Sequence, residues 1–188
     1  MTAPPPFDLL AGVLDFAARQ PQAGAIAGLF LERLAAADPG AWDRAPALGH
    51  FTGSALVLSA DGERTLLCHH RKLDRWLQPG GHADGERDLR AVALREAQEE
   101  TGLPGLSVAP SILDLDRHWI PERGTEPGHW HYDARFLVRA GPDEAFAVSA
   151  ESNALAWWPL TRVLADPAID PSLQRMARLA AALRPTLR

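Results

Sequence analysis

Apolar positions change their period several times along this chain, and each change marks an element. Residues 7–19 and 22–37 carry them at helical spacing, the second through Ile26, Leu29, Phe30 and Leu34, until Asp38-Pro39-Gly40 stops it. Residues 42–50 read as a linker. A strand over 54–58, a turn at Ala60-Asp61-Gly62 and a strand over 65–69 make a hairpin pattern. Residues 88–101 predict a helix that Gly102 closes as a left-handed cap. Strands are predicted over 106–115 and 131–139, separated by a proline- and glycine-rich loop at 120–128. A short edge strand at 144–148 and another short element at 156–158 follow. Asp170-Pro171 forms the cap and first turn of a final helix with Leu173, Met176, Ala177, Ala180 and Leu183 on its apolar side. Strands with helices before, within and after them predict an α/β fold of the α/β/α sandwich kind, with the first two helices as an N-terminal extension.

The pattern on the 88–101 helix departs from an ordinary amphipathic one. At about 100° per residue, Leu89, Val92 and Ala93 share an arc with Glu96, Glu99 and Glu100. The stripe is apolar at one end and acidic at the other. Like charges three and four apart cost an isolated helix about 0.2–0.5 kcal/mol per pair. Carboxylates in the last turns also oppose the macrodipole, by roughly 0.3–1 kcal/mol each when exposed. Solvated acids lie opposite the buried side of a helix; these follow it, and so belong at the edge of the core, where a cleft would open. A hard divalent cation reverses the sign of both penalties, because it prefers carboxylate oxygen and keeps room for water and phosphate.

Composition narrows the setting. With 188 residues, 46% of them hydrophobic and 23% charged, the chain suits one globular domain with an appendage. A net charge of −5 offers no general field to a nucleic-acid polymer or a membrane surface, so a phosphate-bearing ligand needs a metal or a local basic patch. The single cysteine, Cys68, excludes an internal disulfide, and its strand-like setting reads as a small buried hydrophobe. Asp8 and Asp15 interrupt the N-terminal apolar residues, which lack a basic lead, and no apolar run is long enough for a bilayer; a cytoplasmic location is expected.

From Gly81 to Leu103 the chain resembles the Nudix box, G-x5-E-x7-R-E-u-x-E-E-x-G-u with u aliphatic. Gly81, Arg95, Glu96, Ala97, Glu99, Glu100, Gly102 and Leu103 match in register. One position departs: Arg87 stands where the pattern has its first glutamate, and Glu86 comes one residue early. The wider resemblance runs from about Phe51 to Leu164. It sets a Nudix hydrolase domain at residues 49–188 behind a helical extension at 1–48.

The resemblance implies the Nudix α/β/α sandwich with a mixed sheet. It implies Glu96, Glu99 and Glu100 as ligands of Mg2+, with Mn2+ as the substitute, and the Gly80 carbonyl as a further ligand. Arg95 then neutralises and orients a neighbouring carboxylate. The general base is Glu96 or, from the loop before Trp157, Glu151; Glu122, Glu126 and Asp133 are weaker candidates. The implied reaction is hydrolysis of the diphosphate bond in a nucleoside diphosphate linked to another group, of ADP-ribose type or related. Two alternatives share the fold. One is a Nudix-like domain that senses a nucleotide without cleaving it. The other is an isopentenyl diphosphate isomerase, which needs a reactive cysteine in the site, whereas Cys68 precedes the box.

Around the box, Arg71, Lys72 and Arg75 are candidates to hold distal phosphates, and Trp76, Trp119 and Trp130 to stack a base or ribose. Solvation and packing account for such residues equally well. Family subgroups carry a proline or a tyrosine at a set distance after the box. Pro121 lies too far on and no tyrosine stands there, so the nucleotide stays open. His69, His70, His82 and the His129-Trp130-His131 triplet lack a cysteine or acid partner at zinc-ligand spacing, so zinc is not expected. The expected partner is a small nucleotide, with no nucleic-acid polymer and no membrane. The N-terminal helices are expected to pack, ahead of forming a homodimer surface or a lid.

Overall fold

The computed structural model describes residues 5–44, 49–125, 127–150 and 152–183. Its centre is a seven-stranded mixed sheet. Strand β1 (His50–Leu58) runs antiparallel to β2 (Arg64–His70) and to β4 (Gly80–His82), and parallel to β6 (His129–Arg139). Strand β5 (Ser107–Ile120) pairs with the far side of β6, while β3 (Arg75–Leu77) and β7 (Ser152–Pro159) pair with β2.

Helices cover both faces of the sheet, giving the expected α/β/α sandwich. Alternation along β1 explains why. Phe51, Ala55 and Val57 point into one core with Leu89, Val92 and Ala93 of α3 (Leu89–Thr101). Val13 and Phe16 of α1 (Leu9–Arg19) and Phe30 of α2 (Gly24–Ala35) belong to that same core, so the N-terminal helices pack on the sheet. Leu56 and Leu58 point the other way. They meet Val163 of α4 (Leu160–Ala165) and Leu173, Met176 and Ala177 of α5 (Pro171–Leu183). Gly53 lets α3 lie close: a Cβ there would come within 2.7 Å of the Leu89 carbonyl oxygen.

Several elements differ from the sequence expectation. The short strand expected at 144–148 is irregular chain, although Ala147 N–H donates to Thr101 O at 2.8 Å. The strand expected to stop at Leu115 continues to Ile120. The three-residue strands β3 and β4 replace what reads as loop. Among the described residues, no helix is long and apolar enough to cross a membrane.

Candidate functional site

Helix α3 delivers the acids. Asp88 caps its start, accepting from Ala91 N–H at 2.9 Å and from Phe7 N–H at 2.8 Å. Gly102 closes it in the left-handed conformation at φ 64°, with its N–H donating to Gln98 O. Leu89, Val92, Ala93, Ala97 and Thr101 are buried. Glu96 and Glu100 are half-buried and line a cleft of about 420 Å3, whereas Glu99, on the same helical turn, is exposed.

The glycine pair facing this helix is required by close approach. A Cβ on Gly81 would sit 2.5 Å from the Glu96 carboxyl carbon, and a Cβ on Gly80 would collide with Ser54 Oγ. Gly80 N–H donates to Glu100 Oε1 at 2.8 Å. Arg95 Nη2 donates to Glu96 Oε1 at 2.8 Å and to His82 O at 3.0 Å, so one guanidinium ties the acidic helix to β4. The donors gathered here are hard oxygens beside glycine backbone, which is the chemistry a Mg2+-type cation takes.

The cleft floor is a polar patch on the central sheet, produced by register. His50, Thr52 and Ser54 alternate onto one face of β1, opposite His131, Asp133 and Arg135 of β6. Those in turn face His118, Asp116 and Asp114 of β5. Asp133 accepts from Thr52 Oγ1 at 3.0 Å, from Ser54 Oγ at 2.8 Å and from Arg135 Nε at 2.7 Å. Arg135, 2% exposed, also donates to Asp114 and Asp116, and Arg175 of α5 donates to both aspartates as well. Burial pushes the Asp114 carboxyl above its usual range, against the pull of Arg175 and Arg135. At Asp116 burial acts the same way but is outweighed by the His118 hydrogen bond and by Arg135 and Arg175, so its carboxyl is held low.

Histidines crowd the other end of that patch. His50, His82 and His131 each present a ring nitrogen within 4.8 Å of the others. His129 Nε2 lies 3.2 Å from His131 Nε2. Burial, followed by His50, His118, His82 and His129, pushes the His131 imidazole down to about 2. His50 carried no signal in the sequence. Its neighbours come from strands distant in the chain, so no short spacing announces the cluster.

The remaining candidates scatter around the cleft. Lys72 is exposed and lines it. Arg75 lines an adjoining hollow of about 680 Å3, which shares Lys72, Gln78 and His118 with the first and adds Arg117 and Trp119. Arg71 donates to Ser152 O at 3.3 Å. Trp76 packs against Trp158, with ring centroids 5.4 Å apart. Trp119 is half exposed and meets Trp130 edge-on, and the Arg117 guanidinium lies 4.0 Å from the Trp130 ring centre. Glu86 is exposed and accepts from Asp88 N–H at 2.8 Å, a local contact at the start of α3; Arg87 lies over the Trp42 ring. Cys68 lines the cleft wall, but burial and then Glu100 push its thiol up, which keeps it protonated. Glu151 and Glu126 lie outside the described residues.

Structures of the same fold are numerous. An Ap4A hydrolase from C. elegans in a binary complex is 18% identical, covers 72% of this chain and 98% of its own, and superposes with a TM-score of 0.57. A NUDIX-family hydrolase from Clostridium perfringens gives 20% identity, 74% and 98% coverage and a TM-score of 0.54. The NUDIX domain of Shewanella oneidensis NrtR, complexed with ADP ribose, gives 24%, 84% and 98%, and 0.50. These identities speak for the fold alone. No curated protein matches the sequence significantly. The family model for the NUDIX domain matches residues 50–180, the span that holds the whole sheet and the acidic helix, and by that match the chain belongs to the Nudix hydrolase family.

Proposed function

We propose that this Nudix hydrolase uses Mg2+, with Mn2+ as the substitute, to cleave the diphosphate bond of a nucleoside diphosphate linked to another group. The observation that carries the reading is the convergence of Glu96 and Glu100 on a cleft edged by Gly80-Gly81, where Gly81 leaves space for Glu96 and the Gly80 N–H donates to Glu100. Glu96, Glu99, Glu100 and the Gly80 carbonyl would hold the cation. When bound, it supplies charge neutralisation at phosphate oxygens and makes water more acidic.

The chain's own groups do the rest. Arg95 fixes the Glu96 carboxylate by its 2.8 Å contact. The general base for the attacking water is Glu96 or Glu151, the residue that precedes β7 in the sequence. Water adds to one phosphorus, the bridging oxygen leaves with the other, and two phosphate monoesters result. Lys72 faces the diphosphate region of the cleft, and the adjoining hollow offers Arg75, Arg117 and Trp119 to the distal part of the substrate. ADP-ribose, bound in one similar structure, and Ap4A, named as the substrate of another, are the first compounds to try.

The test is a screen over nucleoside diphosphate derivatives with Mg2+, in which an added phosphatase frees phosphate from the monoester products and not from the intact diphosphates, beside a control in which the cation is chelated before the phosphatase step. Turnover that needs the cation supports the proposal. Tight nucleotide binding with no product in any arm would replace it with a sensing role.

A further inference from the structure

The histidine cluster is not explained by a Mg2+ hydrolase, because Mg2+ prefers oxygen and imidazole suits zinc, copper, iron and nickel. We infer that His50, His82 and His131 form a separate nitrogen-ligand metal site, fitted to Zn2+, that opens into the same cleft as the α3 acids. The proposal stands on geometry and does not depend on the Mg2+ reading.

Register builds the site. His50 lies directly opposite His131 in the parallel β1–β6 pair. His82 on β4 lies opposite Thr52, two residues along β1 and so on the same face as His50. Three strands therefore bring three imidazoles to one side of the sheet, with ring centroids 4.7, 4.9 and 5.1 Å apart. The ligand nitrogens lie within 4.8 Å of one another. A tetrahedral zinc with bonds of about 2.0–2.1 Å needs nitrogens about 3.4 Å apart. Zn2+ binding requires the half-buried His82 and His131 rings to turn toward the ion.

A supporting contact fixes one ligand's tautomer. Pro127 O can only accept, so His129 Nδ1, 2.9 Å away, carries the hydrogen. His129 Nε2 is then an acceptor, and His131 Nε2, at 3.2 Å, must donate to it. His131 keeps its lone pair on Nδ1. The His129 imidazole thus takes the supporting part that a carboxylate, backbone carbonyl or water plays beside most zinc-ligating histidines. Three protein ligands leave a fourth position open, and His82 and His131 both line the cleft, so that position faces it.

The experiment uses full-length protein stripped with chelator, then titrated with Zn2+ by calorimetry in excess Mg2+, with Co2+ absorption as a spectroscopic readout. Wild type and Glu100→Gln are expected to bind one equivalent of Zn2+ and to give the intense visible bands of four-coordinate Co2+. His82→Ala and His131→Ala should each weaken Zn2+ by more than about 100-fold, since loss of a supporting contact alone costs 10–100-fold. Circular dichroism checks that each variant is folded. If a histidine variant unfolds, the wild-type cobalt spectrum decides: weak bands of six-coordinate oxygen ligation overturn the site. Zn2+ binding that survives both histidine substitutions, that is lost in Glu100→Gln, or that is absent from wild type also overturns it. Failure of Mg2+-dependent turnover would leave all of these outcomes unchanged.

Discussion

Two carboxylate clusters lie within this one fold, and they are held differently. Arg135, almost fully enclosed, bridges Asp114, Asp116 and Asp133 across the sheet face, and Arg175 holds Asp114 and Asp116 as well. Glu96, Glu99 and Glu100 sit on one end of α3, half-buried or exposed, with Arg95 against Glu96 and a backbone N–H against Glu100. The first set is matched by two guanidinium groups, Arg135 buried and Arg175 part-exposed. The second faces a cleft. Acids balanced by buried partners fit a structural role, while acids concentrated at an opening fit the proposed ligand-binding one. Mutations should separate the two.

The largest effect is expected from Glu100→Gln. Turnover should fall by at least about 10^3-fold, about 4 kcal/mol, while the thermal midpoint moves little. A variant that keeps full activity removes the α3 acids from the chemistry. Arg135→Met should do the reverse. It leaves three carboxylates without their central partner and should cost about 3–5 kcal/mol in urea unfolding. A loss under 1 kcal/mol would show that Arg175 alone can carry the network.

Gly81→Ala sharpens the contrast, because its Cβ presses on the mobile end of Glu96 and not on backbone. Stability should hold, with kcat lowered by up to about 100-fold, the cost of displacing a reacting group by an ångström. The smallest effect concerns pH. Asp116 is held below its unfolded value of about 3.9. The unfolded chain therefore binds its proton first. Its stabilising contribution is complete above pH 4 and is lost as pH falls through the lower folded value. Acid titration of unfolding should show a shallower decline in Asp116→Asn than in wild type; equal slopes would assign the acid sensitivity to other groups.

What the sequence made legible was local. The α3 acids, their glycine cap and the hairpin of β1 and β2 all rest on spacings of a few residues. The end of β5 was not, because Asp116 and His118 turn toward the polar patch and break the apolar alternation that marks a strand. The irregular stretch at 144–148 misled in the opposite direction. Phe146 and Val148 alternate as a strand would, yet both are exposed, and the segment is tied to the fold by scattered bonds, from Ala147 N–H to Thr101 O and from Ala60, Arg64 and Trp157 to Glu144, with no strand ladder. Of the histidine cluster, spacing in the sequence argues against zinc at His82 and His131 and passes over His50, because the three become neighbours only when three strands take their register. The basic and aromatic candidates divided for a similar reason. Lys72 reached the cleft, while Trp76 found Trp158.

The parallel pairing of β1 with β6 also orders assembly in time. Thr52 must find Asp133 across 81 residues, a slow search compared with winding a helix. A nascent chain that has emitted the acidic residues of α3 still lacks the β6 side chains that line the opposite wall, and the cleft is complete only once that long-range pairing closes.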